Sequence, residues 1–327
     1  MLTAVITGAS GQDGSYLSEY LLSEGYRVVG ITRRRSANRR YKNIEHLFEN
    51  KNFKFIEGDV TDPTLINRVL HQYSPDEWYN LAAQSNVGHS FKEPSVTFDI
   101  NAKSVLMQLD SIREYSPNIR FYQASTSELW GGLKCPDDGY SESMSFHPRS
   151  PYGVAKLAAY WAVVNYREAY GMFACNGILH NHSSPRRGHD FATRKITNGV
   201  ARVKLGLQDK LKMGNLSAFR DEGHSKDFVR AMHLMLQQET ANDYVIATGA
   251  GATIKEMFEY VCSLAGLRFE DVYEMDQRFM RPSEVPILLG NSSRARENLN
   301  WKPEYTWKEL LKDMYENDLD IWRNKCR

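Results

Sequence analysis

The sequence predicts an α/β protein built on a Rossmann-type doubly wound parallel sheet, followed by a smaller mixed α/β C-terminal lobe. Three observations lead to this prediction. Short apolar runs alternate with helical stretches in the first half of the chain, a glycine-rich turn follows the first run, and the alternation loosens after about residue 183. Strands that alternate with helices form right-handed βαβ units, whose strands are parallel. We therefore predict a first domain at residues 1–182, to which later segments return, and a second lobe at residues 183–327.

The elements of the first half follow from the periodicity of apolar residues. Runs rich in Val, Ile and aromatic residues predict strands at Leu2–Thr7, Arg27–Thr32, Phe53–Glu57, Glu77–Ala82, Ile119–Ala124 and Phe173–Leu179. The stretches between them predict helices at Ser15–Glu24, Pro63–Tyr73, Ser95–Tyr115 and Pro151–Tyr170. A proline suits the first position of a helix, where its missing N–H has no partner to lose.

The second half mixes shorter elements with polar segments. We predict strands at Lys210–Met213 and Tyr244–Ala247, and helices at Lys226–Gln237, Ile254–Leu264 and Trp307–Trp322. Three segments rich in Arg, Gly and Pro predict loops that form a site, namely Ser183–Lys195, Asn215–His224 and Arg278–Asn291.

Composition excludes several classes of function. The 327 residues include 41 basic and 40 acidic side chains, a formal charge of +1, so no global field attracts nucleic acid or an anionic membrane. The mean hydropathy is −0.53, and no apolar run is long enough to span a bilayer. The chain enters a predicted strand almost at once, so we expect no signal peptide, and its four cysteines are scattered without metal-ligand spacing. We expect a cytoplasmic protein without a metal site.

The turn after the first predicted strand has the composition of a phosphate-binding loop. Gly8, Gly11 and Gly14 lie at spacing G-x-x-G-x-x-G, with Gln12 and Asp13 between them. Glycines at a strand–helix junction let backbone N–H groups approach a pyrophosphate at the helix N-terminus. These five residues are therefore candidates for binding a dinucleotide.

The ends of the second and third predicted strands indicate which dinucleotide. The second strand is followed by Arg33 and Arg34, whose guanidinium groups suit a 2′-phosphate, whereas NAD enzymes usually have a carboxylate there. We therefore predict NADP. Asp59 and Val60 follow the third strand, where a carboxylate can accept a hydrogen bond from adenine, while Asp62 is a candidate N-cap for the next helix.

A candidate catalytic group follows the fifth strand. Tyr152 and Lys156 are four residues apart on a predicted helix, so their side chains share a face, and the ammonium is expected to lower the pKa of the phenol. Thr126 offers a hydroxyl to a substrate oxygen, although strand-end capping would explain it equally. Glu128 adds a second titratable group, which a simple alcohol dehydrogenase does not need and which suggests abstraction of a proton from carbon.

The chain resembles the extended short-chain dehydrogenase/reductases, and among them the GDP-mannose 4,6-dehydratase family. The matching stretches span nearly the whole chain in order: Thr7–Leu17, Tyr79–Val87, Phe121–Leu129, Arg149–Lys156, Tyr160–Tyr170, Asn176–Leu179, Ser184–Gly188, Thr193–Ile196, Tyr244–Gly249 and Arg281–Val285.

The resemblance implies a reaction and a set of site residues. It implies internal redox at the sugar: oxidation at C4, loss of water across C5 and C6, and reduction at C6, with Thr126, Glu128, Tyr152 and Lys156 as the catalytic group. The cofactor-binding residues would include Leu81 and Ala83, together with Tyr152 and Lys156. The GDP-sugar would be bound in and near the second lobe. Its binding residues would be Ser85, Asn181, Lys195, Arg220, Arg281 and Glu284. Arg186 and Arg187 would belong either to this site or to a subunit interface.

Three stretches depart from the family pattern and leave the sugar open, one of them Leu129–Gly132, where Leu-Tyr-Gly is common. Ser183 replaces the glutamate of the usual Asn-His-Glu-Ser, and Glu222 replaces the tryptophan of the usual Arg-Asp-Trp-Gly-His-Ala. Three alternatives therefore stand beside GDP-mannose 4,6-dehydration. They are the same reaction on a larger GDP-manno-heptose, a 4-epimerase or 4-reductase, which would not need Glu128, and a non-catalytic NADP-sensing protein.

The loop after the second strand bears on assembly. Arg35–Lys42 carries several basic residues on a segment too polar to pack into its own core. In the family that the chain resembles, this arginine-rich loop reaches toward a neighbouring subunit. We therefore expect a homo-oligomer, a tetramer in preference to a dimer.

Overall fold

The computed structural model describes residues 1–34, 41–279 and 285–326. Its strands are β1 (Thr3–Thr7), β2 (Arg27–Thr32), β3 (Phe53–Glu57), β4 (Glu77–Asn80), β5 (Arg120–Ala124), β6 (Ala174–Leu179), β7 (Asn181–Ser183), β8 (Leu211–Met213), β9 (Phe219–His224), β10 (Tyr244–Ile246), β11 (Gly251–Thr253), β12 (Tyr273–Met275) and β13 (Ile287–Leu288). Its α-helices are α1 (Gln12–Ser23), α2 (Pro63–Tyr73), α3 (Val87–Ser90), α4 (Pro94–Phe98), α5 (Ser104–Tyr115), α6 (Pro151–Tyr170), α7 (Ala192–Lys204), α8 (Ser225–Leu236), α9 (Ile254–Ala265), α10 (Phe269–Val272), α11 (Ser293–Leu299) and α12 (Trp307–Lys325).

The predicted parallel sheet is present. Within the described residues it has seven strands in the order β10-β6-β5-β4-β1-β2-β3, and every neighbouring pair is parallel. The order runs outward in both directions from β1, which defines a doubly wound sheet. Because the carboxyl ends of parallel strands share one edge, the loops after β1, β2, β4 and β5 lie along the same edge.

Side chains on successive strand residues enter two cores, one on each face of the sheet. In β1, Ala4 and Ile6 pack with α1 and α8, whereas Val5 packs with α2, α5 and α6. In β2, Val28 joins the first core and Val29 the second. A strand buried on both faces must be apolar at every position, which explains the continuous apolar runs in the sequence.

The helices begin at residues that satisfy their free N–H groups. Asp62 accepts a hydrogen bond from the backbone N–H of Thr64 at 2.9 Å, so it is the N-cap of α2, as the sequence suggested. The Ser150 hydroxyl accepts one from the N–H of Gly153 at 3.0 Å and fixes the start of α6, which has its predicted bounds. Helix α6 ends at Gly171, whose positive φ of 66° favours glycine.

One predicted helix is interrupted. The stretch 95–115 contains a π-helical turn, Asp99–Lys103, between α4 and α5. On this turn, the Asn101 side-chain oxygen accepts a hydrogen bond from the Gln84 N–H at 2.8 Å, and its amide donates one to the Gln84 carbonyl at 2.8 Å. The turn thus anchors the loop after β4, which is a common use of π-turns at functional positions.

All three predicted loops are partly regular structure. Asn215–His224 contains β9, Ser183–Lys195 contains the start of α7, and Arg278–Asn291 contains β13. Their charged residues suggested exposure, but tertiary partners allow them to be buried. Arg194 on α7 forms an ion pair with Asp318 on α12 at 2.7 Å, and both side chains are buried. Because the two charged residues of this pair are buried, they interrupt the apolar pattern by which a buried helix face is recognised in a sequence.

The C-terminal half contributes to both parts of the fold. Strand β10 joins the large sheet, and α8 packs on α1. A third core lies among α7, α9 and α12, and β9 pairs in parallel with β7 and β13 and antiparallel with β11. Among the described residues, no helix has both the length and the apolar character that a membrane crossing requires.

Candidate active site

The glycine turn after β1 has little room for side chains. Gly8 has a φ of +73°, and a Cβ on it would lie 3.0 Å from the backbone nitrogen of Ala82. A Cβ on Gly14 would lie 2.4 Å from the Gly8 carbonyl oxygen. Glycine at these two positions therefore lets β1, α1 and the loop after β4 approach one another closely.

Helix α1 begins with free backbone donors. Its N-cap is Gly11, and no side chain in the described part of the chain caps it, in contrast with α2 and α6. Uncapped N–H groups and the positive end of the helix dipole attract an anion. The turn is therefore a suitable cradle for a pyrophosphate.

Gln12 and Asp13 are predicted cofactor residues, and both side chains contact the segment around β7. The Gln12 amide donates to the His182 carbonyl at 3.3 Å, and its oxygen accepts from the Ser184 hydroxyl at 2.9 Å. Asp13 pairs with the His182 ring at 2.9 Å. Burial alone would raise the pKa of Asp13, but His182 and Arg187 bring it below its ordinary value. These side chains thus join the phosphate turn to β7.

The residues after β2 and β3 lie at the expected edge of the sheet. Arg33 and Arg34 are exposed, and Arg34 lies 4.0 Å from a Glu57 carboxylate oxygen. Asp59 accepts hydrogen bonds from the N–H and hydroxyl of Thr61 at 3.0 and 2.8 Å, and Val60 is buried. The guanidinium groups are accessible to a phosphate, whereas Asp59 also stabilises its own turn.

The loop after β4 carries three further candidates. The Thr7 hydroxyl accepts hydrogen bonds from the N–H groups of Leu81 at 3.2 Å and Ala82 at 3.1 Å, which holds the loop against β1. Ala83 is half-buried beside the turn, and Ser85 is exposed, so its hydroxyl is accessible.

The four catalytic candidates meet between the end of β5 and the start of α6. The Thr126 hydroxyl accepts a hydrogen bond from the Glu128 N–H at 3.2 Å and also lowers the pKa of Tyr152 by hydrogen bonding. The Glu128 charge acts on the same phenol. Lys156 is buried, donates to the Ala124 carbonyl at 2.8 Å, and lies 6.0 Å from the Tyr152 ring centroid. Capping and catalysis are therefore compatible roles for Thr126.

The predicted lowering of the tyrosine pKa is wrong for this arrangement. Burial raises the pKa of Tyr152 to about 12, and the negative charge of Glu128 adds to this, against smaller lowering effects of Thr126 and Arg187. Burial also lowers the pKa of Lys156 to about 8. Desolvation opposes both charged forms, and it outweighs the attraction that the i, i+4 spacing suggested.

Arg187 is the residue that sequence reasoning left unassigned. Its guanidinium stacks on Phe191, with Cζ 3.7 Å from the ring centroid, and it interacts electrostatically with Glu222, Asp13 and Tyr152. Burial lowers its pKa, and its Nε has no hydrogen-bond partner within the described ranges. The only signal in the sequence was the pair Arg186-Arg187, which does not show which of the two arginines lies near the catalytic candidates.

Arg186, the neighbouring arginine, contacts α1 instead. Its guanidinium donates to the Ser15 hydroxyl at 3.0 Å, pairs with Glu19 at 2.7 Å, and lies 3.9 Å from the Tyr16 ring centroid. It therefore stabilises the packing of the 184–188 segment on α1.

The predicted sugar-nucleotide residues lie on several elements. Asn181 is on β7, and its buried side-chain oxygen has no partner among the described residues. Lys195 is on α7, with Nζ 3.2 Å from the Phe279 ring centroid, and Arg220 is buried on β9; both were expected in loops. Arg281 and Glu284 lie outside the described residues.

The sheet order and the glycine turn define a class of fold, the Rossmann-type doubly wound α/β fold. The fold matches a solved dTDP-glucose 4,6-dehydratase from Bacillus anthracis in complex with NAD, with a TM-score of 0.85, 22% identity, and coverage of 99% of this chain and 98% of that one. At this identity the match establishes the fold.

Sequence comparison gives the family. The model of the GDP-mannose 4,6 dehydratase family matches residues 5–314. GDP-mannose 4,6 dehydratase 2 of Arabidopsis thaliana is 48% identical over 97% of this chain and 87% of its own length. GDP-mannose 4,6-dehydratase of Vibrio cholerae is 44% identical over 97% of this chain and 94% of its own. The chain belongs to the GDP-mannose 4,6 dehydratase family.

Proposed function

We propose that this protein is an NADP-dependent GDP-mannose 4,6-dehydratase, which converts its substrate to the GDP-4-keto-6-deoxy sugar and one water. The observation that carries the proposal is the carboxylate of Glu128 within electrostatic reach of Tyr152. A tyrosine and a lysine suffice for oxidation of an alcohol. Elimination of water needs a second acid–base group, and Glu128 is available for it.

The cofactor residues fit a dinucleotide. The uncapped start of α1 and the turn at Gly8 and Gly11 would hold the pyrophosphate, and Arg33 and Arg34 would pair with a 2′-phosphate. Asp59 and Val60, with Leu81 and Ala83, would line the adenosine and ribose side. When bound, the nicotinamide would accept a hydride from C4 of the sugar and return it to C6.

Tyr152 would act as the base for the 4-hydroxyl proton. Its pKa of about 12 in the protein alone makes the phenol a poor base at neutral pH, so positive charge is needed beside it. The Lys156 ammonium, the Arg187 guanidinium and the oxidised nicotinamide would supply this charge. The Thr126 hydroxyl would orient the sugar oxygen.

Glu128 would act in the elimination. Oxidation at C4 makes the C5 hydrogen acidic, and a carboxylate can remove that proton. The same group can then donate it to the departing 6-hydroxyl, which leaves as water. The half-buried position of Glu128 keeps it accessible to a sugar in the site.

The substrate residues would recognise the rest of the molecule. Lys195, Arg220 and Arg281 supply positive charge for a diphosphate, and Glu284 would contact the nucleoside. The unpartnered oxygen of Asn181 offers an acceptor to the sugar or the first phosphate, and Ser85 a hydroxyl to the hexose.

The experiment mixes the purified protein with NADP and GDP-mannose and follows the sugar by mass spectrometry. We expect the sugar to lose the mass of one water without accumulation of NADPH. A parallel incubation with a GDP-manno-heptose tests the larger sugar. An isomer of unchanged mass would contradict the dehydratase and favour a 4-epimerase, and a reduced sugar with net oxidation of added NADPH would favour a reductase.

The protein would also assemble as a homo-oligomer. Helix α6 packs against α4 and α5, and this group of helices exposes large apolar side chains that include Val96, Phe98, Leu106, Val154 and Trp161. Apolar side chains gathered on neighbouring helices are typical of an interface. A tetramer would need a second interface, for which the loop Arg35–Lys42 remains our prediction; its residues 35–40 lie outside the described ones.

A further inference from the structure

A network of side-chain hydrogen bonds joins the first turn of α1 to β7. The ring of His182 on β7 is buried, and its Nε2 lies 2.9 Å from a carboxylate oxygen of Asp13. The other Asp13 oxygen accepts a hydrogen bond from the Gln12 amide at 3.1 Å, and Gln12 also donates to the His182 carbonyl at 3.3 Å. The side chains of the first two residues of α1 are therefore engaged with the protein itself, and they determine where the backbone of that turn lies.

The contacts of the His182 ring require a proton on each ring nitrogen. Nδ1 lies 2.8 Å from the backbone carbonyl oxygen of His180, which can only accept a hydrogen bond. Nε2 faces the Asp13 carboxylate, which also accepts when it is ionised. A neutral imidazole has a single N–H and can satisfy only one of these contacts. The Phe228 ring stacks on the imidazole, with the centroids 4.3 Å apart, and so keeps both nitrogens facing these acceptors.

Three charged groups face this ring, namely Asp13 from α1, Arg187 from the segment before α7 and Glu222 from β9. Burial favours the neutral ring and Arg187 opposes its charge, whereas the Asp13 carboxylate and the His180 carbonyl retain its proton. The balance holds the pKa of His182 above its ordinary value of 6.5. Despite burial, the imidazolium in turn holds the pKa of Asp13 below 3.8. Both directions agree with the ion pair that the hydrogen bonds require.

The pair lies at the place where the cofactor would be bound. Asp13 is the second residue of α1, whose N-cap is Gly11 and whose first turn would hold the pyrophosphate. While His182 is protonated, the charge of Asp13 is neutralised within the pair. Loss of that proton leaves a carboxylate without its counter-ion beside an anionic ligand, and it also leaves one ring nitrogen facing an acceptor without a hydrogen. Both changes weaken the site for a diphosphate.

We propose that His182 is a positioning residue for the cofactor: as an imidazolium it holds the first turn of α1 against β7 and neutralises Asp13. This inference rests on the proposed function, in which that turn binds the pyrophosphate of NADP. A raised pKa means that the link is complete below pH 6.5 and is lost as pH rises through the pKa of folded His182. Affinity for the cofactor therefore decreases with rising pH. NADP and NAD share the pyrophosphate, so the affinity for both decreases.

The test is the dissociation constant of NADP for the wild type and for His182→Gln, measured by calorimetry from about pH 6 to about pH 9, the range in which such a histidine titrates. The glutamine amide can donate to Asp13 but has no charge and does not titrate. We expect the variant to bind NADP about five- to tenfold more weakly at the acid end, because charge-assisted hydrogen bonds are about twice as strong as neutral ones. The ratio of the two dissociation constants should approach one at the alkaline end. Lys156, whose pKa is about 8, is present in both proteins, so its titration cancels in this ratio.

Two controls isolate the effect of the His182 pair. His233→Gln replaces another buried histidine, which contacts the Tyr26 hydroxyl at 3.2 Å, and should change neither the dissociation constant nor its pH dependence. In His182→Gln, binding of NAD should weaken by the same factor as binding of NADP, because the pair acts on the shared pyrophosphate. A ratio of dissociation constants that is one throughout, or that differs from one without changing with pH, overturns the inference. The second of these results is what a merely structural contact would give.

A second variant serves if His182→Gln does not fold. Asp13→Asn removes the charge that His182 compensates, so its dissociation constant relative to that of the wild type should fall as pH rises. A ratio independent of pH contradicts the inference. A wild type that shows the expected pH dependence of binding but removes no water from GDP-mannose overturns the proposed function alone. A wild type that binds neither dinucleotide overturns both.

Discussion

Burial and charge compete at each proposed catalytic side chain. Lys156 keeps its ammonium as the dominant form at neutral pH, because its lowered pKa of about 8 is still above 7 and the ammonium donates a hydrogen bond to the Ala124 carbonyl. Tyr152 is neutral in the same environment. In the proposed mechanism, the phenol therefore ionises when further positive charge arrives, which would couple the action of the base to binding.

Tyr152→Phe should abolish turnover and leave the fold intact. The ring is retained in its buried position, so only the hydroxyl is lost, and activity should fall by about 10² to 10⁴-fold. Product formation and thermal melting measure the two effects. Tyr166→Phe is a matched control on the same helix, since its hydroxyl contacts Asp110 at 3.3 Å, and it should remain active. Near-normal turnover by Tyr152→Phe would remove this residue from the mechanism.

Glu128→Gln should separate the two halves of the reaction. Removal of the C4 hydrogen depends on Tyr152, whereas loss of water depends on the carboxylate. The variant should transfer hydride from C4 and fail to form the 6-deoxy product. Substrate deuterated at C4, followed by mass spectrometry of the sugar and the nicotinamide, distinguishes these steps. Formation of the 6-deoxy sugar at the normal rate would show that another group performs the elimination.

Replacing Arg33 and Arg34 together by Ala should reduce the preference for NADP over NAD. Both side chains are exposed after β2, and each charge-assisted hydrogen bond to a 2′-phosphate contributes about 1.5–3 kcal/mol. The ratio of kcat/KM for the two cofactors measures the effect. The exposed Arg268→Ala serves as a control for loss of surface charge. If the preference is unchanged, the phosphate is bound elsewhere.

At the scale of elements, Asp221 links β9 by hydrogen bonds to two other segments, one at Thr248 and Gly249 and the other at Gly290. Its carboxylate accepts hydrogen bonds from the N–H and hydroxyl of Thr248 and from the N–H groups of Gly249 and Gly290, at 2.6–3.3 Å. This residue lies in a segment that the sequence suggested was a loop. The backbone N–H groups around the Asp221 carboxylate satisfy its oxygens, which explains how a strand as polar as β9 can be buried.

The ionisation of Asp221 should affect stability in a defined direction. Burial raises its pKa from 3.8 to about 6, and its hydrogen bonds oppose this. A folded-state pKa above the unfolded value stabilises the fold below pH 3.8 and loses that contribution as pH rises through about 6. Relative to Asp221→Asn, the wild type should therefore lose on the order of 3 kcal/mol of unfolding free energy over this range.

Denaturant unfolding at several pH values measures this difference. Below pH 3.8, Asp221→Asn should be less stable than the wild type by about 1–3 kcal/mol, because its amide hydrogens face backbone donors. The exposed Asp320→Asn controls for the general effect of removing a carboxylate. Parallel stability curves for Asp221→Asn and the wild type would show that Asp221 does not titrate in this range.

At the scale of the whole molecule, the exposed apolar face of α4, α5 and α6 bears on assembly. Val154 and Trp161 are seven residues apart on α6, so they share a face, and Trp161 is 55% exposed. Trp161→Glu should lower the mass measured by light scattering, because a charge at this face cannot be buried without a partner. Ile321→Glu, at an exposed apolar position on α12, is the matched control and should not change the mass. A wild type that scatters as a 37.6 kDa monomer would contradict the proposed oligomer.

Local sequence patterns determined most of the first domain and the identity of its catalytic candidates. Strand β1, the glycine turn and α6 depend on neighbours within a few residues, through periodicity, φ preference and capping. Tyr152 and Lys156 share a helix face by spacing alone, and Thr126 and Glu128 follow β5 directly. Patterns between residues this close in the chain can be recognised from the sequence alone, without knowledge of the fold.

The tertiary structure decided which charges surround that group. The pairing of β7 with β9 brings Ser183 to Glu222, 39 residues apart in the chain. The fold also brings Arg187 within electrostatic range of Tyr152. It also decided the pKa of Tyr152, which spacing predicted to fall and burial raises. Desolvation and long-range ion pairing depend on which strands become neighbours, and that is a property of the packed molecule, which no short segment of the chain contains.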